Sequence, residues 1–137
     1  MKKGLDRRTP EEWLDLARED LYDSPERKFR DAAFSAERSL KAFLSFSGEE
    51  NPSRFSHDLE KSIDECIDKD KIFSTIREKV IFLAGIQYGN MNNPSFCKTF
   101  YEKYNPEKVI PEEYGELACQ YAGEIYDFVI MRIEGGI

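Results

Sequence analysis

The sequence predicts an all-α fold, an up-and-down helical bundle of four to five helices, on three observations. Apolar residues recur at three- and four-residue spacing in successive segments. Pro10, Pro25 and Pro111 stand where those segments begin, the position in which a missing backbone N–H costs a helix nothing. No stretch shows the polar–apolar alternation of a strand, and there is no internal repeat.

The first helix opens at Thr9-Pro10-Glu11-Glu12, where Thr9 can cap and Glu12 completes a capping box. Trp13, Leu14, Ala17 and Leu21 form its apolar face, and Ser24-Pro25 ends it. The second helix, from Pro25 to Gly48, is the expected centre of the bundle. Phe29, Ala32, Ala33, Ala36, Leu40, Phe43 and Leu44 make one continuous face. Its three alanines allow a neighbour to approach closely, and Gly48 is placed to end it in a left-handed cap.

A polar loop with Pro52 leads to a third helix near Ser56 or His57, striped by Leu59, Ile63, Cys66 and Ile67. A fourth helix follows at once, with Ile72, Phe73, Ile76, Val80, Leu83, Ala84 and Gln87 on one side. Ile81 and Phe82 broaden that side, so this helix is expected to be the most deeply buried. Its pattern stops at Tyr88-Gly89-Asn90. Residues 89–111 are rich in Asn and Pro, with Phe96, Phe100, Tyr101 and Tyr104 spaced as one short helix would space them. Pro111 opens the last helix, with Glu112 and Glu113 in its first turn and a stripe of Tyr114, Leu117, Ala118, Tyr121, Ile125, Phe128, Val129 and Ile133. Residues 1–8 are expected to fray, and 9–134 to form a single domain, the natural expectation for 137 residues.

Composition narrows the function classes. A net charge of −7 argues against a broad basic surface for duplex nucleic acid, though it leaves room for a small basic patch. No run approaches the length of an apolar membrane span, and the N-terminus lacks a signal-peptide core, so a cytoplasmic protein is expected. Cys66, Cys97 and Cys119 are widely spaced with no CxxC, which argues against a zinc or redox motif. Cys66 and Cys119 fall on apolar faces, as small core residues do. One histidine cannot furnish the paired Glu-x-x-His ligands of a di-iron bundle, no P-loop is present, and no metal or cofactor is expected.

The candidate chemistry centres on Arg54-Phe55-Ser56-His57-Asp58-Leu59. His57 is the only histidine. It reads either as a polar residue at a helix start or as a general acid or base for phosphodiester cleavage, with Arg54 stabilising the phosphate. Asn90, Asn92 and Asn93 read either as turn residues before Pro94 or as ligand-binding amides. The aromatic row from Phe96 to Tyr104 reads as packing, as dimer contact, or as a stacking surface for bases. Arg38 and Lys41 are candidate anion-binding residues in the second helix. Lys41 is also one turn from Glu37 and can pair with it.

In their order, these pieces resemble the HEPN family of small helical domains. Glu11-Glu12-Trp13 through Asp20-Leu21 is similar to the family's opening helix. Glu37-Arg38-Ser39-Leu40-Lys41-Ala42 is similar to its Glu-Lys-Ala-Leu-Lys-Ala signature, and Ser56-His57-Asp58-Leu59 to its Thr-His-Asp-Leu start. A Pro-containing break and a long last helix complete the order, so the likeness covers nearly the whole chain. The resemblance implies a HEPN-like bundle that pairs as a homodimer and works near nucleotides or single-stranded RNA. It also implies a small nucleotidyltransferase as partner in a toxin–antitoxin-like pair. Many members are metal-independent ribonucleases in which an Arg and a His, Arg-x(4–6)-His, meet across the dimer. Here Arg54 and His57 are three residues apart, and Asn92-Asn93-Pro94 stands where relatives often carry Arg-Tyr-Pro. An atypical ribonuclease and a non-catalytic helical adaptor therefore stay open beside the nucleotide-associated domain.

Overall fold

A computed structural model describes residues 8–22, 28–52, 58–89 and 112–135. Five α-helices and one 3-10 segment account for nearly all of them, and no strand occurs among them. The protein is an all-α helical bundle. Its helices are α1 (Pro10–Tyr22), α2 (Lys28–Phe46), α3 (Leu59–Lys69), α4 (Arg77–Gly89) and α5 (Glu112–Glu134). The 3-10 segment Lys71–Ile76 joins α3 to α4.

The helix starts and stops have local causes. Thr9 and Glu12 form a reciprocal capping box: Glu12 N–H donates to Thr9 Oγ1 at 3.1 Å and Thr9 N–H to Glu12 Oε1 at 3.0 Å. α2 ends in a Schellman motif. Glu49 N–H reaches back to the Leu44 carbonyl at 2.9 Å and Gly48 N–H to that of Ser45 at 3.1 Å, with Gly48 at φ +98°. Only glycine holds that backbone angle without strain.

Helix α2 packs against α1, α3, α4 and α5. Its predicted apolar face is buried at Ala32, Ala33, Ala36, Leu40, Phe43 and Leu44. These residues share one core with Leu59, Ile63 and Cys66 of α3, Val80 to Ala84 of α4, and Ala118, Ala122, Ile125 and Val129 of α5. Phe73 lies at the junction, its ring 4.2 Å from Phe43 and 5.0 Å from Phe128 between centroids. α4 buries five consecutive residues, Val80 to Ala84, as its broad apolar side predicts. α2 nevertheless is covered over a longer run. Every residue from Ala32 to Leu44 is buried except Phe34 and Arg38, which are half-buried.

Two expectations need correction. The fourth helix does not begin at Ile72. Asp70 accepts a hydrogen bond from Ile72 N–H at 3.2 Å and starts the 3-10 segment instead. With three residues per turn, Phe73 and Ile76 face inward together, while Ile72 turns out to solvent. α3 begins at Leu59, not at Ser56 or His57, and its N-cap is Asp58, whose Oδ1 accepts from Lys61 N–H at 3.0 Å.

Ion pairs tie neighbouring helices. Arg77 at the start of α4 reaches Glu60 and Asp64 of α3, at 3.2 and 2.9 Å. Lys79 of α4 reaches Glu124 of α5 at 3.0 Å, and Phe82 meets Tyr121 edge-on. The Lys79–Glu124 and Phe82–Tyr121 contacts run in opposite order, so α4 and α5 are antiparallel neighbours. Among the described residues no helix is long and apolar enough to cross a membrane.

Arg132 of α5 forks onto Asp70 Oδ2, with Nε at 3.1 Å. That hydrogen bond holds the Asp70 carboxyl below its ordinary range. A carboxyl depressed in the folded state adds stability above its unfolded pKa and loses it as pH falls through the folded one. Asp70→Asn is therefore expected to flatten the acid limb of stability below about pH 4. Urea unfolding across the acid range checks this, and an unchanged slope in the variant would contradict it.

Candidate functional site

The residues that carry the motifs of the first two helices meet in one place. The capping box sets the first turn of α1, and one turn on Trp13 points into the bundle with its ring covered. The Arg8 guanidinium lies 4.9 Å from the indole centroid and the Lys41 ammonium 5.2 Å from it. Lys41 Nζ donates to Glu37 Oε2 at 2.8 Å, one turn back on α2. Both of these side chains are less than a tenth exposed, at 7% and 5%.

Polar ties flank this pair along the α1–α2 seam. Arg38 Nη1 donates to Asp20 Oδ2 at 2.6 Å. Ser35 Oγ donates to the Ala17 carbonyl at 2.9 Å, and Ser45 Oγ to that of Arg8 at 3.1 Å. Ser45 meets Arg8 at one end of the seam while Ser35 and Arg38 meet Ala17 and Asp20 at the other, so α1 is antiparallel to α2. Ala17 and Ser35 are small enough for the backbones to approach closely. The Trp13 Nε1–H is buried without a hydrogen-bond partner, which leaves an unmet donor within the seam.

This arrangement fixes what the sequence candidates can do. Lys41 is inside the bundle and committed to Glu37. Arg38 is about a third exposed, at 32%, and engaged with Asp20. Its guanidinium can meet a solvent anion only in competition with that carboxylate. The catalytic candidates Arg54 and His57 and the ligand candidates Asn90 and Asn92 lie outside the described residues, as do Asn93, Cys97 and the aromatic row from Phe96 to Tyr104. Asp58, next to His57 in the third motif, has a definite role as the α3 cap.

Cys66 is enclosed at the α2–α3 contact, its Sγ 3.9 Å from the Leu40 carbonyl oxygen. Burial pushes its thiol up, which makes it an inert core residue. Cys119 is half-buried. Among the described residues no group of three or more His, Cys, Asp or Glu side chains could hold a metal ion. The sequence places Trp13 on the apolar face of the first helix and Asp20 in the opening-helix motif, and neither position announces the contact with Lys41 and Arg38. The only available signal was the one-turn spacing of Glu37 and Lys41.

No protein-family model, curated protein or solved structure matches the chain.

The capping role of Asp58 has a direct check. Asp58→Ala is expected to lower stability by about 1 kcal/mol, because the Lys61 N–H loses its acceptor. Chemical denaturation measures it. Unchanged stability would mean that Asp58 is present in the Ser-His-Asp-Leu stretch for a reason other than capping.

Proposed function

We propose that this protein is a HEPN-like helical domain that associates with nucleotides or single-stranded RNA in the cytoplasm. In this reading it acts as a homodimer, with a small nucleotidyltransferase as its partner in a toxin–antitoxin-like pair. One observation carries the reading. The residues by which α1 and α2 resemble the family touch one another, Trp13 against Lys41 and Asp20 against Arg38. The likeness therefore lies in residues that dock two helices together, which is where a shared fold leaves its mark in sequence. The all-α bundle supports it further.

A second reading, a non-catalytic helical adaptor, is favoured by a different observation. Both α2 cations proposed as ligand-binding residues are neutralised by carboxylates of the same chain. The remaining alternative, an atypical metal-independent ribonuclease, rests on His57 and Arg54.

The readings separate in one experiment. Labelled single-stranded RNA and free nucleotides are mixed with the protein and with His57→Ala, at low and moderate salt, and both binding and cleavage are followed. Binding without cleavage, and a dimer mass by light scattering, is the expected result. Cleavage that disappears in His57→Ala would replace the proposal with the ribonuclease. Absence of both binding and cleavage, with a monomer mass at all concentrations, would leave the adaptor.

A further inference from the structure

Among the described residues three large apolar side chains are exposed: Phe46, Ile72 and Met131, the last of them at 71%. They gather around one buried ring, that of Phe73. Ile72 precedes Phe73 in the 3-10 segment and turns outward. Phe46 connects through Phe43, whose ring centroid is 6.4 Å from that of Phe46 and 4.2 Å from that of Phe73. Met131 is placed by the register of α5. Phe73 meets Phe128, and Asp70 meets Arg132. The chain between Asp70 and Phe73 therefore runs alongside the chain between Phe128 and Arg132, which brings Lys71 and Ile72 level with Met131. Apolar surface concentrated in this way marks a contact rather than the scatter of an ordinary exterior.

The charges beside these residues say what fits there. Lys71, next to Ile72, is exposed and has no ion pair among the described residues. Asp127 and Glu134 lie one helical turn before and after Met131 and are exposed carboxylates, also without one. Arg132, the other charge beside Met131, is committed to Asp70. The surface thus has a basic margin on the 3-10 segment and an acidic margin on α5, with apolar residues in contact with both. A two-fold axis turns such a surface onto itself in reverse, so that each margin meets its opposite. A uniformly acidic or basic partner would satisfy one margin and be repelled by the other. We propose that this surface is the contact between two copies of the chain. Phe46, Ile72 and Met131 form its apolar anchors, and Lys71 of each copy faces Asp127 and Glu134 of the other. Apolar anchors inside a charged rim are the usual anatomy of a protein interface. The inference rests on the homodimer of the proposed function and names its interface.

The test reads the mass of the full chain by light scattering and sedimentation across a wide concentration range. The wild type is expected to dimerise. Met131→Asp sets a carboxylate among the apolar anchors, and Lys71→Glu turns the basic margin acidic. Each change enters the interface twice and is expected to weaken the dimer about tenfold. Asp127→Lys combined with Glu134→Lys is expected to do the same from the other margin. All four side chains are exposed, so circular dichroism is expected to show wild-type helix content in every variant. Mixing the variants tests the pairing itself. The Lys71→Glu chain and the Asp127→Lys, Glu134→Lys chain carry opposite charges at both contacts, and together they are expected to form a mixed dimer at concentrations where neither dimerises alone. If the mixture stays monomeric there, the proposed pairing is overturned.

Labelled single-stranded RNA in parallel separates the two levels. A dimer indifferent to Met131→Asp and Lys71→Glu overturns this surface and leaves the proposed homodimer standing. A monomer mass at every concentration overturns both the surface and the homodimer. A dimer that responds as expected, with no RNA or nucleotide binding, supports the surface and overturns the nucleotide-associated reading.

Discussion

Helix α2 touches every other helix of the bundle, so over most of its length it has no open side on which to leave charge. That constraint shapes the rest. The sequence of α2 is amphipathic, and its polar half is covered with its charges paired from within, although the buried Ser39 hydroxyl has no hydrogen-bond partner. The Glu37–Lys41 pair is the clearest solution, two opposite charges one helical turn apart with a tryptophan ring laid over the ammonium. Burying two charges is expensive, and a buried pair is held by close geometry rather than by net gain. Ser35 and Ser45 solve the same problem by donating to carbonyls on or beside α1.

α1 docks both through apolar contact, with Trp13 in the core and Leu14, Leu16 and Leu21 packed against it, and through matched polar partners. Arg8, Trp13, Ala17 and Asp20 each meet a particular partner on α2. The α2–α5 side is different in kind. There Leu40, Leu44, Phe73, Leu83, Ile125 and Val129 exclude water completely, and such burial contributes roughly 1.5–3 kcal/mol per large side chain. The bundle is thus one apolar body to which α1 contributes Trp13, with polar ties added along the α1–α2 seam. The candidate anion-binding residues Arg38 and Lys41 lie in that seam, which connects the packing of the fold to the function proposed for it.

Much of the fold was legible because its signals are local. The Thr9–Glu12 capping box, the Gly48 turn and the apolar stripe of α5 each depend on residues within a few positions of one another, and each stands where the spacing predicts. A helical period of 3.6 places Ile72 on the buried side, but Asp70 starts a 3-10 segment there and Ile72 faces solvent. Ser56 and His57 are polar residues that suit a helix start, yet the carboxylate of Asp58 caps α3. Less of the site was legible. The Glu37–Lys41 spacing announces a pair but not its burial, because the polar face of an amphipathic helix gives no sign that another helix will cover it. The meeting of Asp20 with Arg38, eighteen residues away, is a tertiary fact with no local signature.

The central claim is that the Lys41 ammonium is held inside the bundle by Glu37 and depends on it. The most direct measurement compares urea unfolding of the wild type, Glu37→Gln, and Glu37→Gln combined with Lys41→Met. Glu37→Gln strips the carboxylate from a buried ammonium and is expected to cost about 3–5 kcal/mol. Adding Lys41→Met removes that stranded charge at nearly the same side-chain length, and is expected to recover much of the loss. A small effect of Glu37→Gln, or a further loss on adding Lys41→Met, would contradict the account and place the pair in contact with water.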